Sequence, residues 1–263
     1  MPNRGPVSER ALARTYSSPS YSDAYETVEE YRRVMSYASR YPNKGSSAVA
    51  SNFDLPRGRV RPWIEHTSIP DPVRAIDTAR EYGWLEADLG SPTFGALSTL
   101  VANVFSGGSI AESNYTPTFA LNHRGEDSHV IDALDLAGIE YDVLERDGRA
   151  DEARPTSDGR VLGRVLSVLG APVGSKADQH LTLPSYLDSA PRDVREQFAL
   201  SYLENRAVEH EQKDTLTIRE ARNRQYLTDL SNLLDSVIDG RVELGEENIV
   251  ISAEAARSLG TVR

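Results

Sequence analysis

From about residue 93 onward the chain passes twice through one order of elements, and this repetition restricts its fold more than any single motif does. Apolar residues three and four apart predict a helix at about 94–106. Strand-like segments at 109–114 and 116–123 follow, then a helix at 127–138, a strand at 140–146 and a helix at 159–169. The second pass predicts a helix at 191–206, strands near 207–213 and 215–221, a helix at 224–238, strands near 241–244 and 248–252, and a last short helix. Each pass reads α-β-β-α-β-(β)-α. A period of roughly 100 residues is far longer than a solenoid repeat, so two copies imply a pseudo-twofold within one chain. An α+β unit that is monomeric in itself is expected over 86–260, with halves at about 93–170 and 190–260.

What precedes it is helical. Residues 1–23 are rich in Ser, Pro and Arg and are expected to form a disordered arm. Over 24–41, Val28, Tyr31, Val34, Met35 and Ala38 mark one helix face, and Pro42 and Gly45 end the helix. Ser46 or Ser47 caps a second helix to about 53, Asp54-Leu55-Pro56 makes a turn, and a third helix spans 56–65. Asp71 caps a fourth, with Ala75, Ile76 and Ala79 inward and Gly83 past its end. Short helices on tight turns predict a helix-turn-helix domain over 24–85, its third helix the reader.

Charge separates this region from the rest. The chain holds 40 acidic and 29 basic residues, for a net charge of −11, and only Lys44, Lys176 and Lys213 are lysines. An acidic, lysine-poor surface suits concentrated salt, as in halophilic archaea; a GC-rich genome is the alternative source of the arginines. Between Glu30 and Ile64, however, seven basic residues face two acidic ones, a local charge of +5. Arg57, Arg59 and Arg61 belong to the third helix, where arginine can fork onto guanine or phosphate. Arg57 and Arg61 share a face and Arg59 points elsewhere. Arg40, Lys44, Ser46 and Ser47 are candidate phosphate contacts around the start of the second helix. Trp63 and Ile64 are expected in the core. A three-helix bundle whose arginines only meet solvent is the structural alternative.

Other chemistries find no support. No apolar run approaches the roughly 18 residues that cross a bilayer, and the N-terminus has no apolar leader, so a cytoplasmic, nucleoid-associated protein is expected. There are no cysteines, hence no disulfides or thiolate sites. His66, His123, His129, His180 and His210 have no metal-ligand spacing. Glycine-rich phosphate loops, GxGxxG turns and GxSxG elbows are absent from the sequence.

Two segments, LVANVFSGGSI from Leu100 and FALSYLENRA from Phe198, resemble the motif of the LAGLIDADG homing endonuclease family. The stretch from Leu162 to Phe198, with LGRVLSVLG, PVGSK and LTLP, resembles the way these proteins join their halves. The resemblance covers about residues 84–260. It implies two motif helices packed side by side at the pseudo-twofold, with Gly95, Ala96, Ala102 and Ser106 in one and Ala199 and Ser201 in the other permitting close approach. It also implies an acid at the end of each helix, holding divalent metal for phosphodiester cleavage. Here Gly107 and Arg206 stand at those positions, so no catalytic residue, metal or cofactor is expected. Glu112 and Glu204 are nearby but out of register, and cleavage would require one of them as ligand.

What remains in the family is a sheet saddle that straddles the major groove. The resemblance makes Asn114, Thr116, Thr118, Asn122 and Arg124 candidate DNA-facing residues in the first half, and Arg219, Arg222, Asn223 and Arg224 in the second. The bacterial WhiA regulators join a degenerate domain of this family to a helix-turn-helix, in the opposite order. A sequence-specific transcription regulator that binds double-stranded DNA, with the transcription machinery as a further partner, is the expected function. A nuclease that still cuts, or a protein-interaction scaffold, are the alternatives.

Overall fold

The computed structural model describes residues 6–17, 23–121, 129–148, 150–177, 179–210 and 213–258. Its centre is a pair of long helices, α6 (Pro92–Ser106) and α9 (Arg192–Arg206). The Ser91 hydroxyl caps α6 by accepting from the Phe94 N–H at 3.1 Å, and Pro92 opens the first turn. Every residue of α6 from Phe94 to Ser106 is buried, as expected of a helix that is apolar or small all round. Small residues let α9 lie close against it: a Cβ on Gly95 would come within 2.9 Å of Gln197 Oε1, and Ser201 Oγ donates to the Thr99 carbonyl at 3.3 Å.

Each central helix leads an identical sequence of elements. After α6 come β1 (Ser109–Ile110), β2 (Pro117–Ala120), α7 (His129–Leu136), β3 (Tyr141–Leu144), β4 (Glu152–Pro155) and α8 (Gly159–Val168). After α9 come β5 (Ala207–His210), β6 (Lys213–Arg219), α10 (Arg224–Val237), β7 (Val242–Leu244), β8 (Asn248–Ile251) and α11 (Ala253–Ser258). Both sheets are antiparallel and share one strand order, β1-β2-β4-β3 and β5-β6-β8-β7. The fold is therefore α+β. Phe119, Ala153, Leu216, Ile218, Ile249 and Ile251 turn their side chains into the core, leaving the alternate residues on the opposite face.

Five helices precede this body: α1 (Glu9–Arg14), α2 (Ala24–Arg40), α3 (Ser46–Phe53), α4 (Arg57–Glu65) and α5 (Asp71–Glu81). The disordered arm expected at 1–23 is corrected over α1. Ser8 caps it, accepting from the Ala11 N–H at 3.1 Å; Leu12 and Ala13 are fully buried; and Glu9 binds Arg32 at 2.8 Å and also Arg80. The boundary also differs. Val28 of α2, together with α1 and α5, belongs to the main core. Only the later part of α2, with α3 and α4, has its own small core of Val34, Val49, Ala50, Val60 and Trp63. Tyr31 meets Trp63 edge-on at 5.5 Å within it. The turn between α3 and α4 is three residues long: Asp54 adopts the left-handed conformation (φ 52°), the Leu55 N–H reaches the Ala50 carbonyl at 3.0 Å, and Pro56 opens α4.

Candidate nucleic-acid interface

The sequence candidates fall at two main places, with others on the sheet faces and in the framework. The first is the outer surface of α2–α4. Arg40, Ser47 and Arg57 are exposed, as is Arg33; Arg57 makes no close ion pair among the described residues but lies near enough to Glu65 to help lower its carboxyl. Lys44 is exposed too; its ammonium donates to Tyr37 Oη at 2.7 Å and lies over the Tyr37 and Tyr41 rings, so its charge stays at the surface. The exposed face of α4 carries Arg57, Gly58 and Arg61, and a Cβ on Gly58 would touch nothing within 4 Å. Beside it α3 exposes only Ser47, Ala48, Ser51 and Asn52. A basic edge framing small side chains lets another backbone approach closely.

Three of the expected contacts are engaged inside this unit. Arg59 turns toward α2, donating to Thr27 Oγ1 at 2.9 Å and pairing with Glu30 at 2.9 Å, with its guanidinium over Trp63. Ser46 is buried and donates to Glu65. Arg61 pairs with the same carboxylate at 2.8 Å. The Ser46 hydroxyl, and then Arg61, hold the Glu65 carboxyl below its ordinary range. Arg59 and Ser46, expected as DNA contacts, are thus tied within the unit.

The second place is the junction where α6 and α9 end together. Asn205, not Arg206, lies across from Gly107: a Cβ on Gly107 would stand 3.3 Å from the Asn205 amide and 2.7 Å from Ala120 Cβ. Asn205 Nδ2 donates to Ser106 Oγ at 3.0 Å. The faces of α9 separate the roles. Ser201 and Asn205 meet α6. Tyr202 and Arg206, one turn apart, point into the second half. Glu204 leaves toward α7, where it binds His129 at 3.1 Å.

Cations gather around this junction. Lys176, from the segment joining the halves, donates to the Val104, Gly108 and Phe105 carbonyls at 2.6, 2.8 and 3.3 Å, so its ammonium satisfies the end of α6. Burial, with Arg206 and Arg222 close by, brings that ammonium down to about 8, against the opposing pull of Glu220. Glu220 is itself buried and accepts from Tyr202 Oη at 2.8 Å; Arg206 and Arg222 pair with it at 2.8 and 3.3 Å. Burial pushes the Tyr202 and Tyr226 phenols up, and Tyr226 Oη donates to Tyr202 Oη at 3.2 Å.

Among the described residues no carboxylate of the junction is free to hold a cation. Gly107 has no ligand atom, Ser106 and Asn205 are neutral, and Glu220 is shared by two guanidiniums. Glu112 lies away from it, over Gly174. Among the described residues no group of three or more His, Asp or Glu is placed to bind a metal, and no helix is long and apolar enough to cross a membrane.

The outer faces of the sheets are mixed. Thr118 bonds Ser109 at 2.8 Å, and Arg146 pairs with Glu152 at 2.8 Å. Arg154, Thr217 and Arg219 are open to solvent in part or wholly, and Val208 is 64% exposed. The other candidates serve the framework. Arg222 donates to the Lys176 carbonyl, Arg224 to that of Gly245, and Asn223 clamps the N–H and carbonyl of Leu181 at 3.1 Å each. Asn114 caps a turn by accepting from the Thr116 N–H at 2.9 Å. Asn122 and Arg124 lie outside the described residues.

No protein-family model matches the sequence, and no curated protein matches it. Among the solved structures that are similar over much of the chain are two homing endonucleases. The homing endonuclease I-WcaI bound to its DNA recognition sequence is 10% identical, over 68% of this chain and 83% of that one, with a TM-score of 0.44. I-DmoI in complex with DNA and Mn is 11% identical, over 64% of this chain and 96% of that one, with a TM-score of 0.39.

Proposed function

We propose that this chain is a site-specific transcription regulator that binds double-stranded DNA and does not cut it. Contact is made by the α2–α4 unit as a helix-turn-helix, with Arg40, Lys44, Ser47 and Arg57 on phosphate or base edges, and by the sheet faces, where Arg154 and Arg219 are available. The repeated halves descend from one duplicated LAGLIDADG-like unit, so the body acts as a pseudo-symmetric monomer beside the transcription machinery. One observation carries the reading. In a chain of net charge −11, the exposed Arg33, Arg40 and Lys44, none paired with a described carboxylate, gather with Arg57 on one small helical unit, and the described residues of the central-helix junction include no metal-holding pair.

Electrophoretic shift of a random duplex pool, before and after selection, tests it. The Arg40→Ala, Lys44→Ala, Arg57→Ala triple variant should lose affinity and show a shallower salt dependence, by roughly 0.9 in log–log slope for each phosphate contact removed. Equal binding by the wild type and this variant moves the contact to the sheets.

A further inference from the structure

We infer that the polar cleft between the N-terminal helices and the first half binds a small phosphate-bearing ligand. The inference stands independently of DNA binding. The cleft, about 570 Å³, has Tyr16 and α5 on one side, and α8 with the loop after β1 on the other. Three guanidiniums line it, Arg74 of α5 and Arg160 and Arg164 of α8. Arg160 and Arg164 are one turn apart and share a helix face.

Arg164 is the unusual member. Its guanidinium lies between the Tyr16 and Tyr115 rings, 3.7 and 4.0 Å from their centres, and Nη1 donates to the Thr15 carbonyl. Its Nε is buried and has no hydrogen-bond acceptor among the described residues. Among the described residues neither Arg160 nor Arg164 forms a close ion pair with a carboxylate; Asp71, paired with Arg74, acts on Arg164 only from a distance. A half-buried cation with an orphaned N–H is costly unless an anion completes it.

Two carboxylates share the cleft. Asp71 stands 3.5 Å from Arg74, and Asp158 accepts from Tyr82 Oη at 3.2 Å. Three cations against two anions leave one positive charge facing the space. The hydroxyls of Thr78, Ser113, Thr116 and Thr156 also line it, and they supply the neutral donors that phosphate oxygens accept. The volume suits a nucleotide-sized ligand. Because its walls come from both the N-terminal helices and the first half, an occupant would tie the two together and raise thermal stability.

Calorimetry and thermal melts of the full chain with inorganic phosphate, ATP and citrate test this. Saturable binding of phosphate or ATP, with a raised melting temperature and no comparable effect of citrate, is expected. The tighter of the two distinguishes a nucleotide from free phosphate. Arg160→Glu, at an exposed position, should weaken binding about tenfold or more; Arg241→Glu, on the distant β7 edge, should not. The inference is overturned by absence of saturable binding, by equal loss in both variants, or by citrate binding as tightly. It is also overturned if Arg160→Glu weakens only DNA binding, since the cleft is then an extension of the DNA surface.

Discussion

Asn205 Nδ2 donates to Ser106 Oγ over 3.0 Å, so the two central helices meet at their C-terminal ends through neutral side chains. The contact needs no ion to hold it, and Gly107 beside it leaves no room for one side chain more. An acid introduced there should therefore disrupt the junction. Gly107→Asp is expected to destabilise the protein by roughly 1–3 kcal/mol through overpacking against Ala120 and Asn205, read by urea denaturation. Excess Mn²⁺ should not restore the loss; recovery would reveal a latent metal site.

Lys176 should matter more to stability than its place in a connecting segment suggests. Lys176→Met strips the donor from three carbonyls at the end of α6 and should cost about 2–4 kcal/mol. The pH dependence has a definite sign. The folded ammonium titrates near 8 against an ordinary 10.5, so between those values the unfolded chain holds a proton that the folded chain has released. Stability of the wild type relative to the variant should then rise with pH across that window.

Acid should release α1. Arg32, by hydrogen bond, and Arg80 hold the Glu9 carboxyl below its ordinary 4.5 despite partial burial. That contribution is full above about 4.5 and is lost as the pH falls through the lowered folded value. Amide protection over 9–14, taken relative to the intrinsic exchange rate at each pH, should fall on acidification in the wild type, and Glu9→Gln should show low protection at every pH.

Arg57 and Arg59 should behave oppositely although only Gly58 separates them. Arg57→Ala is expected to weaken DNA binding and leave the melting temperature unchanged. Arg59→Ala, which loses Thr27, Glu30 and the face of Trp63, should lower stability by about 1–2 kcal/mol. A single variant that does both would mean that α4 meets DNA with its inner face.

The repeated order of elements was legible because helix and strand periods survive in residues such as Phe94, Leu97, Leu216 and Ile218. β4 was not, since Glu-Ala-Arg-Pro has no β-branched residue and becomes a strand only by pairing with β2 and β3. The strand expected at 109–114 stops at Ile110, where the chain turns through Tyr115 at φ 61°. In α1 only Leu12 and Ala13 turn into the core, too few to show a period. Arg222 and Arg224 read as surface cations because nothing local shows their partners, 2 to 46 residues away. Two signals at the junction were present in the sequence. Glu220 falls in phase with buried Leu216 and Ile218, an acid on an inward face. Lys176 is one of three lysines in an arginine-rich chain; a compact ammonium fits among converging carbonyls where a planar guanidinium does not.

Selection of duplexes from a random pool by the full chain, in Mg²⁺ and molar KCl, followed by sequencing and denaturing electrophoresis of what is retained, tests DNA binding without cleavage most directly. The account predicts an enriched site with both strands intact, and loss of enrichment in the Arg40, Lys44 and Arg57 triple variant. A pool that stays random, or retained DNA cut in Mg²⁺ and whole in chelator, would contradict it.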